Sequence, residues 1–235
     1  MGEVDAIVLL SGGMDSCVCV AEAIDCHGKG RVGLLHASYG QRTEARERRA
    51  FSDIANFYEV RDRLAVRLDY FPAIGGSALT DSRMAIPEND LATPGASSIP
   101  VTYVSFRNAH FLSIGVSWAE AIGAGALYIG AVAEDSSGYP DCRPEYYEAF
   151  QELIRRGTRP ETRIEIVTPV IRLKKSQIIR RGLELAAPLH LTWSCYQGEQ
   201  EACGICDSCL LRLRAFEEAG VADTIPYRRA VSARP

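Results

Sequence analysis

One stretch near the amino terminus constrains the fold more than any other. The apolar run Ala6-Ile7-Val8-Leu9-Leu10 ends in Ser11-Gly12-Gly13-Met14-Asp15-Ser16, and Cys17, Val18, Val20, Ala21 and Ile24 then follow at helical spacing. An uninterrupted apolar strand suits a parallel sheet covered on both faces. A helix opening directly after such a strand aims free N–H groups and the positive end of its dipole at the turn, which makes an anion site. Gly12 and Gly13 let backbone approach that anion with no Cβ in the way, and Ser11 and Ser16 add hydroxyl donors. Asp15 would repel phosphate unless a divalent cation such as Mg²⁺ lay between them. The turn therefore implies a nucleotide with metal. It lacks the Gly-Lys-Ser/Thr ending of a Walker A loop and the three-glycine spacing of a dinucleotide fingerprint. The plain alternative is a strand-to-helix turn that uses glycine and serine for geometry and capping alone.

Hydrophobic periodicity extends the pattern. Residues 32–37 predict a second strand, Thr43 opens a charged helix with Phe51, Ile54, Ala55 and Tyr58 on its core side, and residues 64–68 predict a third strand. The β-α-β-α-β order requires parallel strands with right-handed crossovers, hence an α/β, doubly wound parallel sheet. Residues 72–100 dissolve into glycine, proline and serine and read as a long functional loop. Order returns at residues 101–104, followed by a helix over 108–122, a strand over 127–129, and a polar loop over 130–143. Pro144 suits the first turn of a helix reaching residue 156. Ile164 and Ile166 mark a short strand, residues 176–186 a helix, and Leu210, Leu213 and Phe216 one side of a final helix. Ligands of such sheets bind beyond the carboxyl ends of the strands, where strand order reverses. That rule gathers residues 11–16, 38–42 and 130–143 around one crevice.

The 235 residues suit one sizeable core with an appendage, which we divide as 1–190 and 191–235. A net charge of −4 argues against a protein whose main task is gripping nucleic acid. No apolar stretch approaches the roughly 18 residues of a membrane span, and no export signal precedes the first strand, so a cytoplasmic location is expected. In that setting the eight cysteines are reduced thiols or metal ligands. Cys195, Cys203, Cys206 and Cys209 form C-x₇-C-x₂-C-x₂-C, and four thiolates saturate a tetrahedral zinc ion in a structural site. An iron–sulfur centre lacks the expected Cys-Pro ending. A Cys203/Cys206 redox pair leaves Cys195 and Cys209 unexplained. Cys17, Cys19 and Cys26 read as small buried hydrophobes, Cys142 as pocket packing, and His36 and His190 as ordinary polar residues.

The hexapeptide from Ser11 to Ser16 matches the SGGxDS pattern of the N-type ATP pyrophosphatases, the PP-loop enzymes. Tyr39-Gly40-Gln41-Arg42, Ser77-Ala78-Leu79-Thr80, Thr102-Tyr103-Val104 with Arg107-Asn108, Ser137-Gly138-Tyr139-Pro140-Asp141-Cys142-Arg143, and Thr192-Trp193-Ser194-Cys195-Tyr196 with the downstream cysteines carry the likeness further. Together they resemble the 7-cyano-7-deazaguanine synthase family, the ExsB-type branch of PP-loop enzymes. The resemblance implies a ligase that uses ATP, Mg²⁺ and ammonia to turn a deazaguanine carboxylate into a nitrile, with AMP and diphosphate as by-products. It further implies a structural Zn²⁺ and a homodimer. ATP would lie along Leu10, Ser11, Gly12, Gly13, Met14, Asp15, Ser16 and Cys17, with Ser11, Asp15, Ser16, Arg107 and Lys174 as catalytic groups. Arg107 and Lys174 are the cations that would face departing diphosphate. Tyr39, Gln41, Arg42, Asn108, Asp135, Ser137, Gly138, Tyr139, Asp141 and Arg143 would bind the substrate. The residues also admit an enzyme that gives the adenylate to another amine, even on a protein, and stops at the amide. A PP-loop tRNA-modifying enzyme and a zinc-stapled module without catalysis are the remaining readings.

Overall fold

A computed structural model describes residues 3–89, 99–133 and 138–228. Five parallel strands form the sheet: β1 (Ala6–Leu9), β2 (Val32–Ser38), β3 (Arg63–Arg67), β4 (Ala126–Ile129) and β5 (Glu165–Val167). Their spatial order is β3-β2-β1-β4-β5, so the chain winds outward from β1 in both directions. Leu9 registers with Leu35 on one side and with Ile129 on the other. The order therefore reverses between β1 and β4, where an open α/β sheet offers its ligand crevice.

The helices are α1 (Met14–His27), α2 (Glu44–Phe57), a short α3 (Phe71–Ile74), α4 (Arg107–Ile122), α5 (Pro144–Gly157), α6 (Lys175–Glu184) and α7 (Asp207–Ala219). Side chains alternate across a strand, and β1 shows the result. Ala6 and Val8 pack with Val18, Ile54, Ile178 and Phe216 on one face. Ile7 and Leu9 pack with Leu112, Phe150 and Ile154 on the other. Each large aliphatic side chain buried this way contributes about 1.5–3 kcal/mol. Helices thus cover both faces, as the continuous apolar run of β1 requires.

Close packing at the head of α1 depends on Gly130, just past β4. A Cβ there would sit 2.8 Å from the Ser16 amide nitrogen. Without that glycine the end of β4 could not lie against the first turn of α1, and the crevice between β1 and β4 would be wedged apart.

A third core joins Tyr39, Phe71, Leu79, Ile86 and Val104 to Trp193, the four clustered cysteines and Ile225. Bridges from Glu88 to Cys206 and from Ala202 to Tyr227 knit the carboxyl-terminal segment to the loop after β3 and to itself. Among the described residues no helix is long and apolar enough to cross a membrane.

Three local expectations change. Residues 101–104, where order is expected to return, form a turn and no regular element, because Val101 gives its carbonyl to the Ala78 amide of the neighbouring loop and Tyr103 bonds back to Pro100. The buried side of α7 keeps Phe216 but joins it to Cys209, Arg212 and Ala215 rather than to Leu210 and Leu213. Cys209 must face its partner thiols, and this turns the helix. Cys26 is exposed, since it lies in the last turn of α1 beyond the strands that cover Cys17 and Cys19.

Candidate active site

The phosphate-type turn is braced from several sides. Leu10 donates its N–H to Leu35 at 2.8 Å, and its carbonyl bonds His36 Nδ1 at 3.0 Å. Ser16 Oγ donates to the Gly13 carbonyl at 2.9 Å and lies 3.1 Å from Ser11 Oγ, while the Gly13 N–H donates to Ser11 Oγ at 3.2 Å. The amides of Met14, Asp15 and Ser16 head α1, where a helix has no carbonyl of its own to offer them. Gly12 is required for a reason beyond the one its motif suggests. Its φ is +96°, and a Cβ would meet the Glu47 carbonyl at 2.8 Å, so the close approach is to α2. Its own carbonyl accepts from the Trp193 N–H at 2.8 Å. Cys17 is fully buried in the core behind the turn, whereas Leu10, Ser11, Gly13, Met14, Asp15 and Ser16 line a crevice of about 300 Å³.

Lys175 rather than Lys174 reaches the crevice. Lys174 is exposed at the amino end of α6, where its N–H bonds Gln177 Oε1 at 2.8 Å. One residue further, the helix carries Lys175 into the crevice, and its ammonium pairs with Asp15 Oδ2. Asp15 Oδ1 is buried with no hydrogen-bond partner among the described residues. A carboxylate oxygen placed so at the head of α1 fits a hard divalent cation.

Arg107 enters from the first turn of α4. Its guanidinium lies 5.1 Å from the Tyr39 ring centroid and 5.5 Å from that of Phe111, and it donates to the Tyr39 hydroxyl at 2.8 Å. Burial pushes the Tyr39 phenol up to about 12, so it stays neutral. Arg107 Nε has no partner among the described residues. Gln41 accepts from the Tyr39 N–H and donates to Glu47, whose other oxygen takes the Thr43 hydroxyl. Burial raises the Glu47 carboxyl. Arg42 lines the crevice while its guanidinium bonds the Asp81 and Met84 carbonyls.

The expected substrate residues around Tyr139 separate. Tyr139 lines the crevice and shares a 2.7 Å hydrogen bond with Thr102. Gly138 holds the turn before it, with φ at +76°. Asp141 does not present its carboxylate to the crevice: it is 3% exposed, and Oδ2 accepts the Asn108 N–H at 3.1 Å. It thereby satisfies a free amide at the start of α4, and Asn108 Nδ2 returns a bond to the Asp141 carbonyl at 2.9 Å. Arg143 is exposed as the residue before α5. Asp135 and Ser137 lie outside the described residues. The crevice also receives Glu47, Trp193, Ser194 and Tyr196. Their signal was the Thr192–Tyr196 motif and the charged face of α2.

The four cysteines converge as their spacing requires. All are buried, and their sulfurs lie within 4.8 Å of one another. Cys203 and Cys209 Sγ are 3.8 Å apart, close to the edge of about 3.8 Å expected for a tetrahedron with metal–sulfur bonds near 2.3 Å. The amides of Gln197, Gly198 and Cys203 point at Cys195 Sγ from 3.4, 3.1 and 3.3 Å, and that of Cys206 at Cys203 Sγ from 3.3 Å. Such donors favour thiolates, and the set fits one tetrahedral metal ion.

A family model described as queuosine biosynthesis protein QueC matches residues 5–220. The chain is 58% identical over 222 residues to the 7-cyano-7-deazaguanine synthase of Koribacter versatilis (strain Ellin345), covering 94% of this chain and 92% of that protein. It is 58% identical over 224 residues to the 7-cyano-7-deazaguanine synthase of Acidobacterium capsulatum, covering 94% and 96%. Among solved structures, an NMN synthetase from Francisella tularensis aligns with 94% of this chain and 73% of its own, at 16% identity and a TM-score of 0.48.

Proposed function

Because this chain belongs to the QueC queuosine-biosynthesis family, we propose that it is an ATP-dependent carbon–nitrogen ligase making 7-cyano-7-deazaguanine from 7-carboxy-7-deazaguanine and ammonia. The observation that carries the reading is the placement of the α1 amides, Asp15, Lys175 and Arg107 around one crevice at the strand-order reversal. Likeness over 94% of the chain to proteins named for the nitrile product favours that end point over an amide or a modified tRNA.

The chemistry asks an anion to attack an anion. A substrate carboxylate oxygen bonds to the α-phosphorus of ATP as diphosphate leaves. Ammonia then displaces AMP to give the amide. The amide oxygen attacks a second ATP, diphosphate leaves again, and loss of AMP and protons from nitrogen yields the nitrile. Each attack is eased by donors set in advance where negative charge grows. The amides of Met14, Asp15 and Ser16 and the Ser11 and Ser16 hydroxyls face the phosphates. Lys175 neutralises the departing diphosphate. Arg107, whose Nε has no partner among the described residues, pairs with the substrate carboxylate, and Tyr39, Tyr139 and Tyr196 supply faces for the flat bicyclic ring. Asp15 Oδ1 is the group that would hold Mg²⁺, which when bound offsets phosphate charge. The four cysteines would hold a structural Zn²⁺. We further place the enzyme in the cytoplasm as a homodimer.

Mass spectrometry of a reaction containing ATP, Mg²⁺, ammonium and 7-carboxy-7-deazaguanine tests this. The nitrile mass is expected, and an amide that accumulates without nitrile would defeat the reading.

A further inference from the structure

Among the described residues Arg212 is the largest fully buried side chain, a guanidinium 0% exposed in α7. A buried charge is retained only where its donors are matched. On one side it forms a two-pronged pair with Asp223, Nε to Oδ2 at 2.6 Å and Nη2 to Oδ1 at 3.0 Å, and the Tyr227 hydroxyl buttresses the same carboxylate at 2.7 Å. On the other side Nη1 donates to Thr192 Oγ1 at 2.7 Å and lies 3.4 Å from Ser194 Oγ, while Nη2 reaches the Leu189 carbonyl at 3.2 Å.

Thr192 and Ser194 are the two neighbours of Trp193. The Trp193 N–H holds the Gly12 carbonyl at 2.8 Å. Its ring is fixed by its own donation to Gly198 at 2.9 Å and by the Arg46 guanidinium 4.4 Å from its centroid. One planar fork therefore grips both sides of the residue that clamps the phosphate loop. We propose that Arg212 is a positioning residue for the ATP reaction, setting the phosphate loop through Thr192, Trp193 and Gly12 although it touches no reacting atom.

The inference rests on the nucleotide reading given above. A lysine cannot reproduce the fork, because it offers a point charge in place of five fixed donors. Small misplacement of a loop that must meet a phosphate costs binding and rate steeply.

The test is calorimetric binding of α,β-methylene-ATP with Mg²⁺ to the full chain and to Arg212→Lys. Ile154→Ala, in α5 on the opposite face of the sheet, serves as a control for general destabilisation. Arg212→Lys is expected to weaken binding by about tenfold or more, while Ile154→Ala at a similar melting temperature stays within about twofold of the parent. Should Arg212→Lys fail to fold, Thr192→Val removes the shorter of the two bonds from the fork to the neighbours of Trp193, together with that hydroxyl's bond to the Leu189 carbonyl, and weaker binding is expected again. Parent-like affinity in either folded variant would overturn the inference and leave the nucleotide reading standing. A parent chain that binds no nucleotide would overturn both.

Discussion

Lys175 Nζ meets the Asp15 carboxylate at the mouth of the phosphate loop, with 17% and 21% of the two side chains exposed. This pair joins the first turn of α6 to the first turn of α1. It also keeps a cation in the crevice, beside the amides that open α1.

Replacing Lys175 with methionine keeps the aliphatic stem and removes the charge. Steady-state kinetics should show kcat/KM for ATP falling by about 10²–10³, the usual cost of one preorganised electrostatic partner. Lys174→Met, on the exposed side of the same turn, should stay within about twofold. Equal losses in both variants would contradict the assignment.

Gly12→Ala would place a Cβ against the backbone of α2 at a φ of +96°. Strain of this kind costs about 1–3 kcal/mol. Urea unfolding should report that loss, with weaker ATP binding because Trp193 loses its grip on the loop. An alanine variant as stable as the parent would refute the packing argument.

His36 is buried against Phe51 with its Nδ1 on Leu10. Burial, only partly opposed by the Leu10 hydrogen bond, lowers its pKa below the ordinary 6.5. The unfolded chain therefore takes up a proton first as the medium is acidified. The stability His36 contributes is fully present above pH 6.5 and is lost as pH falls through the lower folded value. Melting temperatures of the parent should drop more steeply than those of His36→Asn between pH 7 and 5. Parallel slopes would show that His36 does not titrate with unfolding.

Cys206→Ser should break the tetrahedral set. Elemental analysis is expected to find about one zinc per parent chain and much less in the variant. The melting temperature should fall by about 10 °C, given several kcal/mol of metal-linked folding energy at this chain length. Iron in place of zinc, or an unchanged melting temperature, would count against a structural zinc site.

The sheet, its doubly wound order and the thiol cluster were legible because each is written in local pattern. An apolar run such as Ala6–Leu9 needs cover on two faces, and C-x₂-C-x₂-C needs a common centre. Side-chain direction was less legible. Lys174 and Lys175 are adjacent, and a helix separates adjacent residues by about 100°, so only the position of α6 decides which one reaches Asp15. Asp141 looks like a ligand group in the sequence, yet the Asn108 amide at the start of α4 claims its carboxylate. Gly12 suggests phosphate contact in the sequence, and only the fold adds that its missing Cβ admits α2. Arg212 carried no signal beyond its place in an otherwise mixed helix, since the partners that make its burial tolerable come from residues 189–194 and 223.

Phosphorus NMR of ATP incubated with Mg²⁺, ammonium and 7-carboxy-7-deazaguanine shows which phosphorus the carboxylate attacks. The account predicts AMP and diphosphate, formed only when the carboxylate is present. ADP and orthophosphate would show that the crevice breaks a different bond, and would contradict it.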